Sequence, residues 1–436
     1  MNSITQNVNN GKWRLHAITT DKFKRANLTF RFIMPKEARR TPLTKLMLAV
    51  LLRGSEKYPT VTDINKKLDE LYDVSLSLTS ASFGDKCVFT VACKMLDNRF
   101  VFDGDDTDVL KETIGVVSDL LNDPILDENG LLLSNYVESE RKIAIDAVNS
   151  LINDQAAYAA KRCSDIMFEG SVLGISSGGD VDTLSSFTAR ELTENIEYFK
   201  QNALVECYYI GSEQPSRVAE LIGDNFDGFT ACSVNAEYGE SAFISHCDQA
   251  KTVREPMDVS QTRIAMGFTC DTTLKDEDYF SMVLANEIFG GMSMSKLFMN
   301  VRERKSLCYY CQSSYKSATG TIRVQSGVAP HNCDVAIEEI MYQLDELKRG
   351  NVTDAEMEQA KSVVISGFMQ LTDSPAATEA FLLRRLLAGV EQTREECIAA
   401  VNRVTREQIV AAANKIKLDT VYVLEGNECG EECDDE

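Results

Sequence analysis

Two stretches of this sequence carry the same succession of elements at a fixed spacing of 236 residues. A chain that repeats itself this way folds as two copies of one unit. The first copy opens with KWRLHAITTDKFKRANLTFRFIMP, which alternates like two strands around a Lys/Asp turn. An almost wholly apolar helix, TKLMLAVLL, comes next. VTDINKKLDELYD then reads as a helix capped by Thr62 or Asp63, with Ile64, Leu68 and Leu71 on one face. VSLSLTSASFGDKCVFTVACKML forms a hairpin about Gly84-Asp85, and a long helical stretch covers about 131–169.

The second copy repeats the plan: the strand TRIAMGFTC, the helix DEDYFSMVLANEIFGG, the helix SKLFMNVRERKS and the hairpin SLCYYCQSSYKSATGTIRVQSGV. At the spacing of 236, Phe32 meets Phe268, Leu48-Ala49 meets Leu284-Ala285 and Gly54 meets Gly290. Without a gap, Leu71 then meets Leu307, Ser77 meets Ser313 and Val88 meets Val324. Further on, Thr188 matches Thr405 at a spacing of 217, so 19 residues are lost between the two regions. The expected fold is α+β: two homologous domains in tandem, each a mainly antiparallel sheet covered by helices. The domains are expected at 1–230 and 246–436, with a linker at 231–245.

Composition narrows the function. The net charge of −22 argues against a nucleic-acid partner, since phosphate binding needs clustered Lys and Arg. The longest apolar runs fall well short of the roughly 18 residues a membrane helix needs. The opening MNSITQNVNNGKWRL lacks the apolar core of a leader, and an odd count of 13 cysteines suits a reducing compartment. The expectation is a cytoplasmic protein without a membrane partner.

Few motifs offer chemistry. The histidines are His16, His246 and His331, never in a ligand spacing. Gly174-Ile175-Ser176-Ser177-Gly178 fits a hydrolase elbow in letters, but it lacks the preceding strand and reads as a loop before a helix capped near Asp180 or Asp182. Cys308 and Cys311 form a C-x-x-C on a predicted strand, where positions three apart face opposite sides, so chelation of a metal by the pair is not expected. Cys429 and Cys433 belong to an acidic tail. Gly290-Gly291 lacks the second glycine that a phosphate-binding loop places before its lysine. No cofactor and no metal site are expected.

Several segments resemble the pitrilysin/insulinase family of zinc metallopeptidases. They are LLRGSEKYPTVTDINKKLDELYDVSLSLTS, GGMSMSKLFMNVRERKSLCYY and LLNDPILDENG followed by VESERKIAIDAVNSLINDQAAYAAKRC. The resemblance runs through nearly the whole chain and is similar to the bacterial subfamily whose members lack catalytic ligands and pair with an active chain. Active members carry His-x-x-Glu-His on the first helix, where two His bind zinc and the Glu activates water. Those positions here are Lys45-Leu46-Met47-Leu48-Ala49. The family's last ligand, a Glu seven residues after another Glu, falls on Ala147 after Glu140. The resemblance therefore implies no zinc and no general base in this chain.

The second-half motif of the family is kept. Its substrate-contacting Arg and Tyr fall on Arg302 and Tyr309; where the family has Gly before Leu-x-Tyr, this chain has Ser306. The resemblance implies half of a clamshell, closed by an active His-x-x-Glu-His homologue over a peptide substrate that Arg302 and Tyr309 would grip. A second expectation is an assembly or peptide-binding protein without a proteolytic role, in a pathway maturing peptides or elongation factor P.

Overall fold

A computed structural model describes residues 4–9, 11–226, 228–230 and 249–427. The expected linker 231–245, His246, Cys429 and Cys433 lie outside the described residues. Among the described residues eleven strands form two sheets: β1 Ile4–Asn9, β2 Trp13–Thr19, β3 Arg25–Pro35, β4 Ser75–Phe83, β5 Lys86–Leu96, β6 Leu204–Gly211, β7 Lys251–Pro256, β8 Thr262–Thr269, β9 Cys308–Lys316, β10 Thr321–Val328 and β11 Lys417–Glu425. The first sheet has the order β1-β2-β6-β3-β5-β4 and the second β7-β11-β8-β10-β9. In both, the return strand inserts beside the first core strand and lies parallel to the strand before it, β2 beside β6 and β7 beside β11. All other pairs are antiparallel. The α+β tandem repeat is thus present as repeated topology. The strands of KWRLHAITTDKFKRANLTFRFIMP both form, but β6 lies between them, so they are not a hairpin.

The helices are α1 Arg40–Leu51, α2 Val61–Glu70, α3 Val109–Asn122, α4 Ser134–Ser150, α5 Gln155–Met167, α6 Val181–Ser186, α7 Ala189–Asn202, α8 Pro215–Asn225, α9 Tyr279–Asn286, α10 Cys333–Lys348, α11 Asp354–Gln370, α12 Pro375–Ala388, α13 Arg394–Arg403 and α14 Arg406–Asn414. In the first sheet Leu28, Phe30 and Phe32 of β3 and Phe89 and Val91 of β5 join one core with α1 and α7. Phe32 stacks near Phe199 at 4.9 Å and Phe229 at 5.3 Å. Ile264, Met266 and Phe268 play the part of β3 in the second core. The cap of α2 is Thr60, which closes a capping box with Asp63; Thr62 is not the cap. Capping boxes also begin α7 at Thr188 and α14 at Thr405, the pair matched by sequence.

The gapless register does not survive. Phe30 pairs with Val91, and its counterpart Met266 pairs with Val324. The spacing is therefore 233 in the hairpin strands. Three residues drop out after α1, because α2 and the matching segment Leu297–Arg304 end in the same backbone motif 233 residues apart. Val74 N donates to Leu68 O at 3.0 Å, and Leu307 N donates to Val301 O at 3.0 Å. The residues before these donors, Asp73 and Ser306, take positive φ of 59° and 51°. The identities Leu71–Leu307, Ser77–Ser313 and Val88–Val324 are not structural equivalents. Val324 joins the helix-facing core, whereas in β5 that face belongs to Cys87 and Phe89.

The chain divides into two compact units, Met1–Asn149 with Ile175–Glu237, and Ser150–Gly174 with Tyr238–Glu436. A single cut near 231–245 does not describe this division. The long helical stretch breaks at Asp154, whose carboxylate caps α5 through Ala157 N at 3.0 Å. α5 then belongs to the second unit. Ala159 and Cys163 pack with Ala265, Tyr422 and Leu424, and Arg162 pairs with Glu255, which also accepts from the Tyr422 hydroxyl at 2.8 Å.

Candidate functional site

Helix α1 is apolar because it is nearly enclosed. Leu46, Met47, Leu48, Val50 and Leu51 are all buried, while Lys45 and Ala49 are partly exposed. These two, one helical turn apart, are the positions that the resemblance matches to the family's two histidines. Leu48, which the resemblance matches to the family's general base, is fully buried in the core. A carboxylate there would be stripped of water without a partner.

The scaffold around α1 is held by polar contacts. Gly54 lets the chain fold back after the helix: a Cβ there would sit 2.5 Å from Pro59 O. Ser55 N then donates to Tyr58 O at 2.9 Å, and Tyr58 N to Ser55 Oγ at 3.1 Å. Arg53 donates to Glu140 of α4 at 2.7 Å, and its guanidinium lies 5.4 Å from the Tyr136 ring. Tyr136 donates to Pro59 O at 2.6 Å. Ala147, two turns beyond Glu140, is exposed on α4. Ser177, from the G-x-S-x-G letters, accepts a hydrogen bond from Ser80 at 3.0 Å in a loop ahead of α6, which Asp180 caps through Thr183 N at 2.9 Å. His16 sits between Asn7 at 3.0 Å and Glu206 at 2.7 Å and stacks on Tyr208, while His331 lies in the turn Pro330–Asn332. Among the described residues no group of three His, Cys, Asp or Glu could hold a metal ion.

Arg302 lies on Leu297–Arg304, which is wound as a wide π-helix. Its side chain is 43% exposed, with Nε 3.6 Å from Glu303 and the guanidinium 4.8 Å from the Phe298 ring. Tyr309 is 64% exposed on β9, the last strand of the second sheet. A β-bulge explains that exposure. Gly327 pairs with Tyr310 but Val328 pairs with Cys308, so Tyr309 is the extra residue. In an unbroken strand Tyr309 would share the core-facing parity of Cys311 and Ser313, both buried; the bulge turns it outward. Gly327 leaves room for its neighbours beside the bulge: a Cβ there would lie 2.7 Å from the Tyr310 ring and would also crowd the Arg263 guanidinium.

The same bulge corrects the reading of Cys308 and Cys311. Their partners Val328 and Ser326 are two residues apart on β10, so both thiols face the helix-covered side. Each thiol is the leading influence on the titration of the other. The Cys311 thiol foremost, with the Ser326 hydroxyl and the Arg302 charge assisting, holds the Cys308 pKa below the ordinary thiol value against the opposing effect of burial. The segment Leu297–Arg304, which carries Arg302, packs against β9. The signal in the sequence was Gly327, an isolated glycine inside a strand, which marks a bulge.

Residues 186–364 match the family described as the Peptidase M16 inactive domain. Together with the repeated fold, this makes the chain similar to the pitrilysin/insulinase (M16) peptidases, and to their inactive domain in particular. The chain is 28% identical over 415 residues to the "Probable inactive metalloprotease YmfF" of Bacillus subtilis, covering 95% of this chain and 96% of that one. It is 24% identical over 298 residues to the "Uncharacterized zinc protease YmxG" of the same organism, covering 67% and 69%. A conserved protein from Enterococcus faecalis has the same fold, with a TM-score of 0.88, 24% identity and coverage of 97% and 99%. So has a protease from Helicobacter pylori, with a TM-score of 0.77, 15% identity and coverage of 97% and 100%. Among the described residues no helix is long and apolar enough to cross a membrane.

Proposed function

We propose that this chain is the non-catalytic subunit of a heterodimeric metallopeptidase, lending peptide contacts to a partner that carries His-x-x-Glu-His. The observation that carries this reading is Tyr309, a large aromatic held 64% exposed by a bulge near the Arg302 charge, in a fold whose ligand positions hold Lys45 and Ala49. The guanidinium suits a peptide carbonyl or terminal carboxylate, and the phenol can donate toward an oxygen that gains charge. The zinc and the activated water would be the partner's; this chain's residues would bind and orient the peptide.

The test is co-purification with a zinc-bearing homologue from the same organism, followed by peptide cleavage. The complex cleaves, and neither chain does so alone. Arg302→Ala and Tyr309→Phe each lower kcat/KM about 10- to 100-fold, the loss of a charged or neutral hydrogen bond to the reacting peptide. Stable complex formation with unchanged cleavage in both variants would instead favour an assembly role without peptide contact.

A further inference from the structure

We propose that Cys308 and Cys311 form a reversible dithiol–disulfide pair, in which Cys308 is oxidised first by a hydroperoxide and Cys311 resolves it. The geometry rests on the bulge. By placing Tyr309 outside the register, it puts two thiols three residues apart in sequence side by side on one face of β9. Cys308 is partly exposed and Cys311 is buried, so solvent oxidants meet Cys308 first. The pair is not a metal clip, because among the described residues no third ligand joins it.

Selectivity follows from the surroundings. Burial pushes Cys87, Cys93, Cys163 and Cys270 up to about 12 and Cys333 up to about 11, and it raises Cys207 and Cys397. Among the described thiols Cys308 alone is drawn down, by the neighbouring Cys311 thiol first and then by the Ser326 hydroxyl and the Arg302 charge. Thiolates, not thiols, attack peroxides. The Cys308 thiolate attacks one peroxide oxygen, the O–O bond breaks, and the departing hydroxide takes up a proton. The sulfur is left as a sulfenic acid. The Cys311 sulfur then attacks it; the S–S bond forms and the S–OH bond breaks, and the Cys311 proton leaves with that hydroxyl as water. Two thiols and one hydrogen peroxide give one disulfide and two waters, and an external dithiol reverses the change. The new bond would span Tyr309 and Tyr310, fixing the bulge that turns Tyr309 outward.

The experiment uses the full chain, reduced and then exposed to hydrogen peroxide with glutathione as a reference thiol. It is followed by alkylation and peptide mass mapping. The expected result is a Cys308–Cys311 peptide lighter by two hydrogens than its reduced form, reopened by dithiothreitol and formed before other cysteines oxidise. At neutral pH iodoacetamide modifies Cys308 about tenfold faster than an unperturbed exposed thiol, and Arg302→Gln reduces that advantage. In Cys311→Ala, checked for folding by circular dichroism, dimedone traps the sulfenic acid at Cys308. The proposal is overturned if both thiols of the unaltered chain remain alkylatable once glutathione has been oxidised. Conversion of Cys308 to sulfinic acid without the linked peptide overturns it equally.

Discussion

Ser306 is where a single residue departs from what its backbone asks for. It closes the π-helical segment with φ of 51°, Ser306 N donating to Arg302 O at 3.1 Å and Leu307 N to Val301 O at 3.0 Å. Glycine adopts that conformation without the Cβ penalty. Ser306→Gly is expected to raise stability by about 0.5–1 kcal/mol, read as a higher urea midpoint at unchanged slope. Asp97 is the opposite case, a side chain fully matched to its place. Its carboxylate, 1% exposed, accepts from Arg99 Nε at 2.9 Å, Ser212 Oγ at 2.6 Å and Ser212 N at 3.0 Å. Burial pushes its pKa up, but the hydrogen bonds from Arg99 and Ser212 outweigh that and hold it below the ordinary carboxyl value. The folded state therefore binds this proton less readily than the unfolded chain. The stability Asp97 contributes is complete above the unfolded carboxyl pKa and is lost as pH falls through the depressed folded one. Asp97→Asn is expected to cost about 2 kcal/mol at neutral pH, with the two urea-unfolding curves converging in acid. Neither residue's environment can be read from the sequence, since Asp97 meets Ser212 only when two distant segments come together.

At the scale of elements, helix α1 was legible and its meaning was not fully so. An apolar run with turn chemistry after it announced a buried helix, and α1 is one. Which positions stay open was decided by packing: Lys45 and Ala49 face partly outward while Leu48 points into the core. Leu48→Ala is expected to cost about 2–5 kcal/mol through the cavity it leaves, and Ala49→Ser to stay within about 0.5 kcal/mol. Equal losses at both sites in chemical denaturation would contradict the burial pattern. The capping boxes at Thr188 and Thr405 were visible as the local match they are, because a cap depends on residues three apart. Strand β9 was misread for the converse reason. Period-two alternation sends Cys308 and Cys311 to opposite faces, but one extra residue reverses the parity, and that residue is fixed by pairing with β10.

For the whole molecule, the repeated topology makes a further demand. α5 comes from the first half of the sequence yet belongs to the compact unit of the second sheet, where it covers Ala265, Tyr422 and Leu424. A fragment of residues 249–427 is expected to aggregate or bind a hydrophobic dye, and adding residues 150–174 to suppress both. A monodisperse, dye-negative 249–427 would show that α5 is dispensable.

The sequence by itself determined that there are two copies of one α+β unit, that a buried helix follows the first core strand, and that the residue types for a zinc site on that helix are missing. Those follow from composition and from periodicities a few residues long. Only the tertiary structure decided the three-residue slip between the copies, the allegiance of α5, the outward aim of Tyr309 and the shared face of Cys308 and Cys311. Each depends on which distant backbone a segment pairs with, and a one-residue change in that pairing turns every following side chain to the other face.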